Sequence, residues 1–351
     1  MHRFHLGKRH GVLALLLLFV QLARFVAGVG EWYACHLYPT ISAGLSAVAS
    51  VVPFSLEECL VVFFILLLLA YPIVGAVRKV GTIRVVCLEV EAILWIAVWF
   101  YMGWGCNYFR SDFYHRCEVI PVQADEEQFV QYLTEFTDSI NACYPDGFSL
   151  SPEASEAIVK AQYEQLPTRF GLCQPHGYQH PKHLMFNRLY SAVGVMGYMG
   201  PFMCESQVNH QLLPEQYPFT YAHELAHLLG ISSEAEANYW AFVICTQSDD
   251  RQLQYCGYYG ILPYLLNNAA SLLSEEERLA CFDRLDPRIV ADLHAKSEFW
   301  QSQQIEWINN LQEGFYDWYL RSNQIPAGKA NYYQVIQMLI SVRFAHNNDD
   351  K

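Results

Sequence analysis

The stretch Thr220–Val243, which reads TYAHELAHLLGISSEAEANYWAFV, has the residue pattern of a metal site carried by two helices. His223 and His227 stand four positions apart, and residues four apart share one face of a helix. Both imidazoles can therefore bind one metal ion, while Glu224 lies beside that ion and can hold a water molecule. The alternative interpretation is a core helix with two hydrogen-bonded histidines.

The same stretch predicts a second helix after a tight turn. Gly230 is a typical residue just after a helix end, and Ser232 or Ser233 can cap the next helix. A catalytic zinc ion takes three protein ligands and keeps one position for water, and we assign Glu234 as the third ligand. Glu236 points about 200° around the helix from Glu234, so it is the reserve candidate. An exposed carboxylate at the helix start is its simpler interpretation.

Asn238 lies one turn after Glu234 on the same face, so its side chain could orient one histidine by a hydrogen bond. The predicted chemistry is amide hydrolysis. Zinc lowers the pKa of its bound water to about 7 and polarises the scissile carbonyl. Glu224 takes the proton from the water and passes it to the leaving amine.

A group that stabilises the oxyanion must come from elsewhere in the chain. Tyr255 and Tyr258 are the candidates, and further tyrosines are available at positions 259, 332 and 333. Because the chain has 23 tyrosines, a tyrosine near the site is a weak signal.

A glycine-rich, extended stretch at residues 185–209 predicts a strand or a short hairpin. Gly200, Pro201 and Phe202 within it are the candidate edge that binds an extended peptide substrate. An ordinary structural strand is the alternative.

Composition divides the chain into two parts. The mean hydropathy of +0.09 is low for a transporter and high for a soluble enzyme. Residues 1–105 hold seven basic and five acidic residues, whereas residues 106–351 hold 15 basic and 30 acidic ones. The overall net charge of −13 argues against a nucleic-acid partner, since such a partner requires basic surface.

The first part contains three apolar runs, at about residues 11–28, 58–77 and 85–105. Each run has about the 20 residues that a bilayer crossing requires. Basic residues precede the first run and fill the loop at residues 78–84, whereas residues 28–55 have none. This bias predicts a cytoplasmic N-terminus, a multi-pass anchor in the cell membrane and an extracytoplasmic remainder. A cleavable signal peptide is the alternative for the first run.

The acidic part reads mainly as helix, with amphipathic patterns at Asp125–Tyr144, from Ser151 onwards, and at Gln301–Asn323. Its cysteines show no CxxC pair, so free, buried cysteine is the simplest interpretation, although one or two disulfides are compatible with the extracytoplasmic side. A Cys–His peptidase built on Cys204 is a weaker alternative.

The segment Glu234–Asn238, EAEAN, resembles the ExxA(N/D) signature of gluzincin-type metallopeptidases, which implies zinc ligation by Glu234. The HExxHxxG opening is also similar to that of metzincins, but Ser233 stands where their third histidine would fall. Features spread over nearly the whole chain carry a further resemblance: the apolar runs, WGCNYFR at 104–110, GPF at 200–202 with Glu205 and Asn209, HELAH and EAEAN, and the pairs Tyr319-Leu320 and Tyr332-Tyr333. In these features the sequence resembles the bacterial membrane family called domain of unknown function 3810. The resemblance implies a zincin-like domain on a membrane anchor.

These observations predict a mainly α protein with two domains. Residues 1–105 form a three-helix transmembrane anchor, and residues 106–351 form a mostly helical, zincin-like α+β domain with a small sheet. The predicted function is a membrane-anchored zinc metallopeptidase that hydrolyses extracytoplasmic peptides or proteins, with Zn²⁺ as cofactor and the lipid bilayer as partner. The alternative is an inactive, zinc-stabilised binding or sensor domain. Glu224 favours the enzyme, because a structural zinc site does not need that carboxylate.

Overall fold

A computed structural model describes residues 7–305 and 329–345. The chain is mainly helical with a small three-stranded sheet, as the sequence predicts. It forms two compact units: an N-terminal unit of residues 1–111 together with Gly200–Glu205, and a C-terminal unit of residues 112–199 and 206–351. The functional division predicted at residue 105 stays a prediction.

The N-terminal unit consists of helices joined by short turns. Its α-helices are α1 (Lys8–Phe25), α2 (Val29–Trp32), α3 (Tyr38–Ala49), α4 (Leu56–Val77) and α5 (Thr82–Gly103). A π-helical turn at Tyr33–Leu37 joins α2 to α3, and a 3₁₀ turn at Gly105–Phe109 follows α5.

Two helices of this unit, α4 and α5, are each long and apolar enough to cross a membrane. Both have 22 residues, and their most apolar windows reach mean hydropathies of 2.8 and 1.9. Helix α1 alone carries three charges within its 18 residues. It qualifies only together with Val29–Ala49, from which it is bent by 116°. The bend follows Gly28, whose φ of +84° is accessible to glycine at little cost.

The C-terminal unit begins with α6 and holds two of the three amphipathic helices that the sequence predicts, those at Glu126–Cys143 and Pro152–Glu164. Its helices are α6 (Phe113–Cys117), α7 (Glu126–Cys143), α8 (Pro152–Glu164), α9 (Asn187–Ala192), α10 (Tyr217–Leu228), α11 (Glu234–Thr246), α12 (Arg251–Leu272), α13 (Glu275–Asp283), α14 (Pro287–Gln303) and α15 (Lys329–Ala345), with a 3₁₀ turn at Thr168–Phe170. Asp125 and Ser151 cap α7 and α8. Of the helix predicted at Gln301–Asn323, residues 306–323 lie outside the described residues, as does the 319–320 pair.

The sheet has the order β1-β3-β2 and consists of β1 (Lys182–His183), β2 (Gly197–Gly200) and β3 (Glu205–Val208). Strand β1 runs parallel to β3, with Lys182 opposite Gln207. Strands β2 and β3 are joined by four residues, which confirms the short hairpin predicted within residues 185–209.

The core of the C-terminal unit surrounds the helix pair α10–α11, which packs against α12. Small side chains let α10 and α11 approach closely: Ala222, Ala226, Ala235, Ala237 and Ala241 are fully buried. Trp240 and Tyr221 fill the surrounding space. The eleven cysteines of the chain, all within the described residues, are free, and five of them are buried.

Candidate metal centre

The turn between α10 and α11 returns the chain towards the histidines of α10. Helix α10 ends before Gly230, whose φ of +101° is favourable for glycine, and the Ile231 N–H donates to the Ala226 carbonyl. Ser233 then caps α11 by accepting the Glu236 N–H. Because of this tight turn, Glu234 is the first residue of α11.

The three predicted ligands lie close together. The Glu234 Oε2 atom is 3.2 Å from His223 Nε2 and 3.5 Å from His227 Nε2, and the two Nε2 atoms are 3.1 Å apart. A tetrahedral zinc ion with bonds of about 2.0–2.1 Å separates neighbouring ligand atoms by about 3.3 Å. Among the described residues, these three form the one cluster of three or more His, Cys, Asp or Glu side chains spaced to hold a metal ion.

The outer nitrogens of both imidazoles are held by carbonyl oxygens. His223 Nδ1 lies 2.9 Å from Asn238 Oδ1, and His227 Nδ1 lies 2.7 Å from the Ile231 carbonyl. A carbonyl oxygen only accepts, so Nδ1 carries the proton in each ring and Nε2 of the neutral imidazole presents a lone pair. Two lone pairs and one carboxylate thus face a common point, and this donor set fits a zinc ion.

His227 and Glu234 shift each other's pKa values towards their charged forms. Burial opposes the charged form of His227, but the Glu234 carboxylate outweighs it and raises the pKa of His227 to about 9. Burial also disfavours ionised Glu234, yet His227 and His223 hold the pKa of Glu234 well below its usual range. The ionised Glu234 carboxylate therefore favours a positive charge beside it, which a bound cation would supply.

Glu224 is buried beside the histidines. Burial raises the pKa of Glu224 to about 7, although the charges of His223 and His227 oppose the shift. Strand β2 passes this carboxylate so closely that a Cβ at Gly197 would lie 2.5 Å from Glu224 Oε1. A carboxyl group with a pKa near 7 can both take and release a proton at neutral pH.

Glu236, the reserve ligand, has other partners. Its carboxylate accepts from Arg116 Nη2 and from the Trp240 indole N–H, and both charged side chains of the pair are buried. The simpler interpretation as an exposed carboxylate is therefore wrong. The partner Arg116 stands 120 residues earlier, and no local pattern could have indicated it.

Asn238 takes the predicted place beside His223, and its amide N–H also donates to the Tyr264 hydroxyl at 3.2 Å. Sequence reasoning missed Tyr264, because nothing distinguishes it among 23 tyrosines. The predicted Tyr255 hydroxyl instead donates to Asp292 at 3.3 Å, and the Tyr258 ring packs against two phenylalanines, Phe136 and Phe242. The structure thus gives both predicted tyrosines partners other than the three ligands.

The candidate substrate edge Gly200–Phe202 belongs to the N-terminal unit. The Phe202 N–H donates to the Glu57 carboxylate at 2.9 Å, and the Phe202 carbonyl accepts from Trp99 Nε1 at 3.0 Å. Substrate binding by these residues stays a prediction. Gly197, at the start of the same extended stretch, lies against the Glu224 carboxylate.

Comparison with curated proteins finds no match, and comparison with solved structures finds none either. A family model described as Protein of unknown function (DUF3810) matches residues 33–340, which is most of the chain. The protein therefore belongs to the DUF3810 family.

Proposed function

We propose that this protein is a membrane-anchored, zinc-dependent metallopeptidase. The observation that carries the proposal is the set of three ligand atoms, His223 Nε2, His227 Nε2 and Glu234 Oε2, spaced 3.1–3.5 Å apart. With three protein ligands, a tetrahedral ion keeps one position for water, as catalytic zinc sites do.

The residues around the centre support the chemistry of peptide hydrolysis. Zinc held by these ligands would acidify a water molecule and polarise the scissile carbonyl. Glu224 would accept a proton from the attacking water and deliver it to the leaving amine, a task suited to its pKa of about 7. Asn238 and the Ile231 carbonyl keep both imidazoles in the tautomer that binds a metal.

Strand β2 supports a peptide or protein as substrate. It is one of the two outer strands of the described sheet, and Gly197 lies against Glu224. An extended peptide that adds to the outer edge of β2 would therefore run past the catalytic carboxylate.

The membrane anchor rests on α4 and α5, with the bent pair of α1 and Val29–Ala49 as a third crossing. Arg78, Lys79 and Arg84 surround the short connection between α4 and α5. The bias of basic residues favours a cytoplasmic location for this connection. The metal centre then lies on the extracytoplasmic side of the cell membrane.

Metal analysis and peptide hydrolysis by the full chain in detergent test the proposal. We expect about one zinc ion per chain, lost in His223→Ala and retained in Glu224→Gln, while Glu224→Gln lowers hydrolysis of a peptide mixture about 10²- to 10⁴-fold. The control is His294→Ala, which removes an exposed histidine of α14. Unchanged zinc content in His223→Ala would refute the site. Zinc without any hydrolysis by the wild type would favour a zinc-stabilised binding or sensor domain.

A further inference from the structure

Two buried glutamates of the N-terminal unit, Glu57 and Glu205, each accept hydrogen bonds from the segment that carries the other. The Glu205 carboxylate accepts the Glu57 N–H at 2.7 Å and the Ser55 hydroxyl at 2.8 Å. In return, Glu57 Oε2 accepts the N–H groups of Phe202 and Met203, both at 2.9 Å. The start of α4 and the β2–β3 connection are thereby joined by four hydrogen bonds to carboxyl oxygens.

Close packing holds the same connection. A Cβ at Gly200 would lie 2.3 Å from Glu57 Cγ, and a Cβ at Gly103 would lie 2.9 Å from the Pro201 carbonyl oxygen. The Phe202 ring stands edge-on to Phe64, with centroids 5.2 Å apart. The connection therefore packs in one defined position against α4 and α5.

The held connection begins only three residues after Gly197, the β2 residue that lies against Glu224. Gly200 ends β2, and Gly197 of the same strand lies against Glu224. A strand whose end is fixed has little freedom to shift along its length or to twist. The position of the β2 edge beside Glu224 therefore depends on where Gly200–Glu205 is held.

We propose that Glu57 is a positioning residue for β2, acting on the end of the strand that it holds at Phe202 and Met203. The proposal has two parts, the positioning of β2 and its effect on peptide binding. The second part, called the substrate half below, rests on the proposed function, because β2 is the strand that would bind the extended peptide. Glu57 acts through its acceptor oxygen. A glutamine, whose amide oxygen can accept the same two N–H groups, should therefore replace it.

Hydrogen exchange of the full chain in detergent tests the positioning directly. In Glu57→Ala we expect backbone amides of residues 197–205 to exchange about tenfold faster, while those of residues 220–246 and the zinc content do not change. Glu57→Gln should stay within about threefold of the wild type. The matched control is Glu91→Gln, which removes a carboxylate of α5 that pairs with Arg9.

Peptide hydrolysis by the same variants tests the consequence for the substrate. Glu57→Ala should raise the KM for extended peptides about tenfold and lower kcat less, because the strand that binds the peptide is displaced while the metal and Glu224 remain. Glu57→Gln should restore the KM. Equal defects in the Ala and Gln variants would overturn the role of the acceptor oxygen.

Unchanged hydrogen exchange at residues 197–205 in Glu57→Ala would overturn the proposal. Faster exchange at both residues 197–205 and residues 220–246 would also overturn it, because that result indicates a general loss of stability. A wild type that binds zinc but hydrolyses nothing would refute the proposed function and the substrate half. In that case the exchange experiment still decides whether Glu57 positions β2.

Discussion

At the metal centre, the two histidines differ in what holds their outer nitrogens. His227 is fixed by a backbone carbonyl, whereas His223 depends on the Asn238 side chain. We expect Asn238→Ala to weaken zinc binding by about 10- to 100-fold, because the His223 ring loses its orientation. Competition of the full chain with a chelator of known zinc affinity measures this change. Asn267→Ala, at an exposed position of α12, is the control, and an equal affinity in both variants would contradict the role of Asn238.

The approach of β2 to Glu224 requires glycine at position 197. In Gly197→Ala the new Cβ would meet the carboxylate, so either Glu224 or the strand must move. We expect kcat/KM for peptide hydrolysis to fall at least about tenfold while zinc content is kept, since small misplacements of catalytic groups are costly. The control is Gly147→Ala, where an added Cβ meets only open space. Full activity in Gly197→Ala would show that Glu224 does not need this contact.

Among the elements, α11 is held from the side opposite its ligand by the buried Arg116–Glu236 pair. Arg116 Nη1 also donates to the Phe170 carbonyl at 2.8 Å, and Trp240 donates to Glu236 at 3.0 Å. Replacing Arg116 with methionine leaves a buried carboxylate without its cation, so we expect the free energy of unfolding to fall by about 3 to 5 kcal/mol. Denaturant titration of the full chain in detergent measures this loss.

The control for that experiment is Arg284→Met, which breaks the exposed pair of Arg284 and Asp138. Exposed ion pairs contribute about 1 kcal/mol or less, so its unfolding free energy should barely change. An equal fall in the free energy of unfolding in the two arginine variants would show that burial does not increase the contribution of the Arg116–Glu236 pair to stability.

Helix α14 carries a lysine whose ionisation should make stability depend on pH. Burial lowers the pKa of Lys296 to about 8, and the Nζ atom lies 4.5 Å from the centre of the Tyr259 ring. In the unfolded chain the pKa is about 10.4, so between these values the unfolded state binds more protons. The free energy of unfolding should therefore rise by up to about 3 kcal/mol as the pH increases from 8 to 10.4.

Denaturant titrations of the wild type and of Lys296→Met at pH 7 and pH 10 check this dependence. The methionine variant should lack the rise, while all other titrating groups contribute equally to both proteins. The same pH dependence in both proteins would contradict the assignment to Lys296.

The helix pair α10–α11 was predictable because its determinants are local. Histidines four apart, a glycine after the helix and a serine cap define the turn, and the turn sets the place of Glu234. Glu236 pairs with Arg116, and Glu224 lies against Gly197. Both partners come from distant segments of the chain, so no local spacing in the sequence indicates them. Residue type alone indicates Tyr255 and Tyr258, and the structure gives them other partners.

For the whole molecule, composition separated an apolar front from an acidic remainder, and α4 and α5 follow the predicted runs. Hydropathy measures length and apolarity but not direction, so it could not show the 116° bend after α1. The inclusion of Gly200–Glu205 in the N-terminal unit depends on hydrogen bonds that span about 150 positions, such as Ser55 to Glu205. Such long-range pairing leaves no periodic signal in the sequence.

The orientation of the anchor should depend on Arg78 and Lys79 between α4 and α5 and on Arg84 in the first turn of α5. A reporter that is active only outside the cytoplasm, fused after residue 351, should be active in living cells, and one inserted after Val80 should be inactive. Replacing the three basic residues with glutamine should lower the outward activity at least about twofold, because Lys and Arg near the ends of the spans set orientation. Replacing Arg278, Arg284 and Arg288 instead removes as much charge at positions about 170 residues or more further along the sequence than the spans, so it should change nothing. An inactive reporter after residue 351 in the wild type would place the metal centre in the cytoplasm and redirect the search for its substrate to that side.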